Sequence, residues 1–254
     1  MQGFTRSSRE HAALRSEILF DSTDKRIEPL LSAFSGGEKS LSEPLDNTCS
    51  ITFADSRLEA AVREAVGKLE GPLCPVDLAG LTYLDAPERG IADLGGIESC
   101  TNLQYLNLCG NEIEELSPLS GMTTLKLLNL GANHITDISA LSTLIELYSL
   151  ELGREDTIQN EYLPPNTNHI TDISALSGMT NMFVLGLSDN GLSNIATLSG
   201  LTRLYLLVLD ENPIGDFSPL AGLAKLKLLK LANTGLDDNG MSALSGLSQL
   251  YGLD

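Results

Sequence analysis

The sequence predicts an α/β solenoid, a stack of short repeats with one parallel sheet and short convex segments. Three observations lead there. A block of leucines recurs every 22 residues through most of the chain, each block alternates apolar and polar residues as a strand does, and an asparagine closes most blocks.

Leu103-Gln-Tyr-Leu106-Asn-Leu108-Cys-Gly-Asn111 aligns with Leu125-Lys-Leu-Leu128-Asn-Leu130-Gly-Ala-Asn133, 22 residues later. The frame returns at Leu147-Leu150-Leu152, Met182-Leu185-Leu187-Asn190, Leu204-Leu207-Leu209-Asn212 and Leu226-Leu229-Leu231. An imperfect copy stands at Leu81-Leu84-Ala86, and a cut-off copy at Leu250-Leu253. The pattern L-x-x-L-x-L-x-x-N is the leucine-rich repeat signature. In each copy the leucines of x-L-x-L-x point into the solenoid and the x residues onto its concave face. The asparagine amide both donates and accepts, so it can satisfy the backbone of adjacent loops and form a ladder. The second half of each unit, as in Ile135-Thr-Asp137-Ile138-Ser139-Ala-Leu141, is too short for a long helix. It predicts an extended or 3₁₀ turn on the convex side, capped by Asp137 or Ser139. No unit can bury its inward face alone, so stacking supplies the core.

These 22-residue units with their I-x-D-I-S-x-L halves resemble the internalin-like leucine-rich repeat class, and a similar short repeat occurs in regulatory subunits of protein phosphatase 1. The resemblance runs from Ile51 to Asp254 and implies a leucine-rich repeat horseshoe with a parallel concave sheet. It implies protein binding in general but no particular partner. Residues 51–78 look like the helical N-terminal cap of such bacterial proteins. Asp55 is the expected N-cap, Leu58, Ala61, Val62, Ala65, Val66 and Leu69 form one helical face, and Gly67 or Gly71 ends the helix. Residues 79–254 then form the solenoid. Residues 1–50 do not fit the repeat, are Ser-rich and carry breakers, and are expected to be flexible or loosely docked.

Two irregularities interrupt the pattern. Asn133–Ser142 recurs identically at Asn168–Ser177, 35 residues on, so the repeat between them carries an insertion of 13 residues at 155–167. The last repeat is truncated, and its uncapped C-terminal end offers an edge for self-association or for further chain.

Composition narrows function. With 34 acidic and 16 basic residues the net charge is −18, which argues against nucleic acid and favours a basic protein partner. No apolar run is long enough for a membrane span, and no secretory signal is present, so the chain as written is expected in the cytoplasm. The family resemblance instead implies a cell-surface or secreted protein. Four cysteines, Cys49, Cys74, Cys100 and Cys109, make neither a dense disulfide framework nor a zinc-ligand pair. Cys100 belongs to an inward column, whereas Cys109 takes an outward strand position.

Five of the six tyrosines fall on outward strand positions. The candidate partner-binding stripe is Tyr83, Tyr105, Leu127, Tyr148, Phe183, Val184, Tyr205, Leu206, Val208, Leu228 and Tyr251. Adjacent strands bring these side chains into one apolar and aromatic surface suited to an interface. Polar fifth positions, among them Asp85, Asn107, Asn129, Glu151 and Lys230, border it. His134 and His169 occupy equivalent loop positions, and no serine, cysteine or carboxylate is placed to act with them. No catalytic, metal or cofactor residue is assigned. The function expected is a non-catalytic protein–protein interaction module binding through its concave face. The alternative is the recognition domain of a larger enzyme, or of a bacterial surface or secreted protein with further domains.

Overall fold

The computed structural model describes residues 49–153 and 168–253. Eight parallel three- or two-residue strands stack in chain order: β1 (Tyr83–Asp85), β2 (Tyr105–Asn107), β3 (Leu127–Asn129), β4 (Ser149–Glu151), β5 (Val184–Gly186), β6 (Leu206–Val208), β7 (Leu228–Lys230) and β8 (Gly252–Leu253). The register follows the leucine frame, so Leu84, Leu106, Leu128, Leu150, Leu185, Leu207 and Leu229 lie in one column. All seven are buried, together with the flanking leucines and the convex Ile and Leu columns, in one continuous core.

The convex side carries 3₁₀ turns at Ile97–Ser99, Ser117–Leu119, Ser139–Thr143, Ser174–Gly178, Ala196–Gly200 and Ser218–Leu220. A short polar side chain two residues ahead caps several of them. Asp137 accepts the Ser139 N–H at 2.7 Å, Asp172 that of Ser174 at 2.8 Å, and Asp216 that of Ser218 at 2.8 Å. The last unit departs from this plan. Leu228 pairs with Gly252, a step of 24 residues rather than 22, and the additional length is taken up by an α-helix. This helix, Asp238–Leu244, is N-capped by the Asp237 side chain.

The asparagine ladder is built from Asn111, Asn133, Asn168, Asn190 and Asn212. The Asn133 amide donates to the Leu108 and Leu130 carbonyls, each at 3.0 Å, while its oxygen accepts the Ile113 N–H. At the insertion the ladder residue comes from beyond it. Asn168 donates to Leu152 at 2.8 Å and to Leu130 at 3.0 Å. β4 pairs with β5 in the regular register, so the 13 extra residues leave the stack undisturbed. The insertion at 155–167 and the segment 1–48 lie outside the described residues.

Among the described residues one recurring turn position takes a left-handed backbone. Gly110 fills it in one repeat, but Glu88, Ala132, Asp189, Glu211 and Asn233 fill it elsewhere with φ of 51–59°.

At the N-terminal end stand α1 (Ser56–Val66) and α2 (Pro75–Leu78). The Asp55 carboxylate caps α1 through the Arg57 N–H at 2.7 Å and reaches the Ala92 N–H of the first repeat at 2.9 Å. Gly67, at φ 71°, ends α1. The buried face is narrower than the periodicity predicts: Leu58, Ala61 and Val62 are buried, whereas Ala65 and Leu69 are exposed. For Leu69 the cause is the stop at Gly67, because beyond it the chain turns and Leu69 no longer belongs to the helical face.

Candidate functional site

Parallel strands in register place the same repeat position of each strand directly beside its neighbour, about 4.8 Å away. Rings at one position must therefore stack, and two stacks result. Tyr83 and Tyr105 have centroids 4.3 Å apart and planes 12° from parallel. Farther along, one column to the side, Tyr148, Phe183 and Tyr205 stack at 4.9 Å and 4.8 Å. The Tyr205 hydroxyl lies 3.2 Å from that of Tyr251, and Lys227 Nζ sits 5.1 Å from the Tyr205 ring centroid. Aromatic bulk thus shifts column between β3 and β4, where Leu127 and Ser149 occupy the third position.

The stripe residues differ in accessibility. Tyr83 and Tyr251 are exposed, at 43% and 61%, and Tyr105, Leu127, Tyr148, Phe183 and Tyr205 are half-buried. Val184, Leu206, Val208 and Leu228 are buried despite their outward strand positions. The Leu228 side chain leans over Gly252, where a methyl group would meet it at 2.5 Å. The accessible part of the stripe therefore lies in the two ring stacks, Leu127 and Tyr251, with the four buried residues beside them.

A polar row runs along the other side. Asn107 donates to Asp85 at 2.8 Å there, while in the column of Tyr148 itself Lys126 pairs with Glu146 at 3.0 Å. Burial and the Asp85 carboxylate push the Tyr83 phenol above its ordinary range, against the lowering effect of its hydrogen bond with Tyr105. Glu151 is the unusual member of the row, being almost buried. Its carboxylate fills the space above Gly186, where a Cβ would overlap Oε1. The glycine in the neighbouring strand is the sequence signal for this notch, legible only once the two positions are known to be adjacent.

His134 and His169 are exposed in their loops. Among the described residues no group of three or more His, Cys, Asp or Glu side chains converges to hold a metal ion. Cys100 is buried, and so is Cys109 in spite of its outward strand position. No described helix is long and apolar enough to cross a membrane. Cys49 and Cys74, which spacing alone does not pair, form a disulfide.

No family model matches the chain, and no curated protein does. Among solved structures it is similar to internalin C2 of Listeria monocytogenes str. 4b F2365, with 29% identity over 85% of this chain and 99% of that one, at a TM-score of 0.63. The chain has the leucine-rich repeat fold in its short, internalin-like form. An internalin, inlF, of the same strain shares 28% identity over 83% of this chain and 79% of its own, at a TM-score of 0.39. Internalin C2 is covered almost from end to end, and in this internalin-like chain the leucine register described above couples the sheet to the unit stack.

Proposed function

We propose that this internalin-like chain is a non-catalytic protein-interaction module that binds a protein partner across its concave sheet. The observation that carries the reading is the pair of ring stacks on consecutive in-register strands. A monomer gains little by lining accessible sheet positions with tyrosine, whereas an interface gains rigid contact area with a polar tip. Tyr105, Leu127, Tyr148, Phe183 and Tyr205 are the anchors, flanked by Tyr83 and Tyr251. Val184, Leu206, Val208 and Leu228 border them on the same face. The partner presents basic residues, because the net charge of −18 steers cations and repels acidic surfaces.

The test starts with capture of the partner by the immobilised chain. Tyr148→Ala combined with Tyr205→Ala should then lower affinity at least tenfold, since interface energy concentrates in such anchors. The thermal midpoint should change little. Unchanged binding in this double variant, with loss on changing convex Thr136 or Asp137 instead, overturns the concave-face assignment.

A further inference from the structure

We propose that the Cys49–Cys74 disulfide is the staple that holds the segment 49–55 against Leu73 within the N-terminal cap, and through that segment seats the cap on the first repeat, and that the chain is built to fold in an oxidising compartment. The argument begins with residues 49–55, which enter α1 and join the cap to the first repeat. Ile51 donates to the Leu73 carbonyl at 2.7 Å, and this forms one isolated antiparallel bridge. Phe53 is buried, and Ala54 donates to Gly95 at 2.9 Å. Thr52 and Phe53 pass so close to Gly96 that a Cβ there would fall 2.6 Å from the Thr52 carbonyl oxygen.

A single bridge between two extended segments is marginal alone. Cys49 lies two residues before Ile51, and Cys74 follows Leu73 directly, so the disulfide closes the same contact covalently. Their Cα atoms stand 5.4 Å apart, within the usual range for a bridge. Cys74 is held in place independently, because its N–H donates to Asp77 at 2.7 Å and Asp77 pairs with Lys68.

The other two thiols are kept out of exchange. Cys100 is fully buried, and burial together with the Glu98 charge pushes its thiol up to about 12. Cys109 is also buried. Thiolate is the exchanging species, so oxidation finds one pair to join and no accessible third thiol to scramble it. The reaction is a thiol–disulfide exchange. The two cysteine thiols reduce one external disulfide, the Cys49–Cys74 bond forms, and two external thiols leave. Such bonds persist outside the reducing cytosol. The partner of the concave face is then met in that same compartment.

The purified full chain, equilibrated with oxidised glutathione, is digested without reductant. A linked 49–74 peptide is expected, with Cys100 and Cys109 alkylated only in denaturant. Hydrogen exchange then compares oxidised protein, reduced protein and the Cys49→Ser, Cys74→Ser double variant. Loss of the staple should speed exchange at least tenfold within 51–78 and leave β3–β7 unchanged. Another pairing, unchanged exchange in 51–78, or acceleration along the whole chain overturns the staple. Alkylation in intact source cells tests the compartment: an intact bond supports it, and free Cys49 and Cys74 overturn it.

Discussion

Tyr148 and Phe183 stand 35 residues apart in sequence, yet their rings stack 4.9 Å apart and 15° from parallel. The 13 extra residues fall between Leu152 and Asn168, yet the Asn168 amide still reaches the Leu152 carbonyl at 2.8 Å. The sheet therefore treats these strands as ordinary neighbours.

Deletion of residues 155–167 should leave the fold and its stability intact. It creates Leu152-Gly153-Arg154-Asn168, the frame of Leu130-Gly131-Ala132-Asn133. Circular dichroism and thermal melts of the shortened chain should overlay those of the full chain within a few degrees. A collapse of cooperativity would show that 155–167 holds the stack together.

Leu128→Ala should cost about 2–5 kcal/mol and Leu127→Ala much less. The two residues are adjacent, but Leu128 is buried in the core and Leu127 is half-buried on the concave face. Urea melts of both variants check this, and equal losses would contradict the inward register.

Gly186→Ala should destabilise by about 1–3 kcal/mol, since the new methyl group must displace the Glu151 carboxylate from its notch. Glu151→Ala made in the same chain should recover most of that loss. A double-mutant cycle reads the coupling, and strictly additive losses would refute the contact.

Acid should loosen the cap before the repeats. Burial raises the affinity of Asp55 for a proton, but the N–H groups of Ala92, Arg57, Leu58 and Asp93 outweigh it and hold the carboxyl below its ordinary value of 3.8. Asp77 behaves alike: burial pushes it up, while Lys68 and the Cys74 N–H bring it down further. A carboxyl depressed in the folded state contributes stability that is complete above its unfolded value and lost as pH falls through its folded one. The window is thus below about pH 4. Hydrogen exchange within 51–78 should accelerate there, and Asp55→Asn should flatten that acid response. Identical acid responses of the two proteins would remove Asp55 from the account.

The strands and the core were legible because a strand of three residues needs only its leucine spacing to declare which side faces inward. The ring stacks followed from the same frame, since register alone decides which tyrosines meet. Other features depend on facts that spacing does not carry. Leu69 has the helical period of α1 but stands past the Gly67 turn. The Asp238–Leu244 helix needs the two additional residues of its repeat, and a 3₁₀ turn and a short α-helix share the same apolar pattern. Cys49 and Cys74 meet only because residues 49–55 double back against Leu73. The burial of Val184, Leu206, Val208 and Leu228 reflects how neighbouring strands cover one another, which a single repeat does not reveal.

The recurring left-handed turn gives this protein an evolutionary margin. Glu88, Ala132 and Glu211 each hold a backbone conformation that costs a residue with a side chain about 1–2 kcal/mol and that glycine adopts freely. In a stacked array such gains stay local to a unit and its neighbours. One repeat at a time can therefore be hardened by single substitutions at these turns, without touching the concave-face tyrosines.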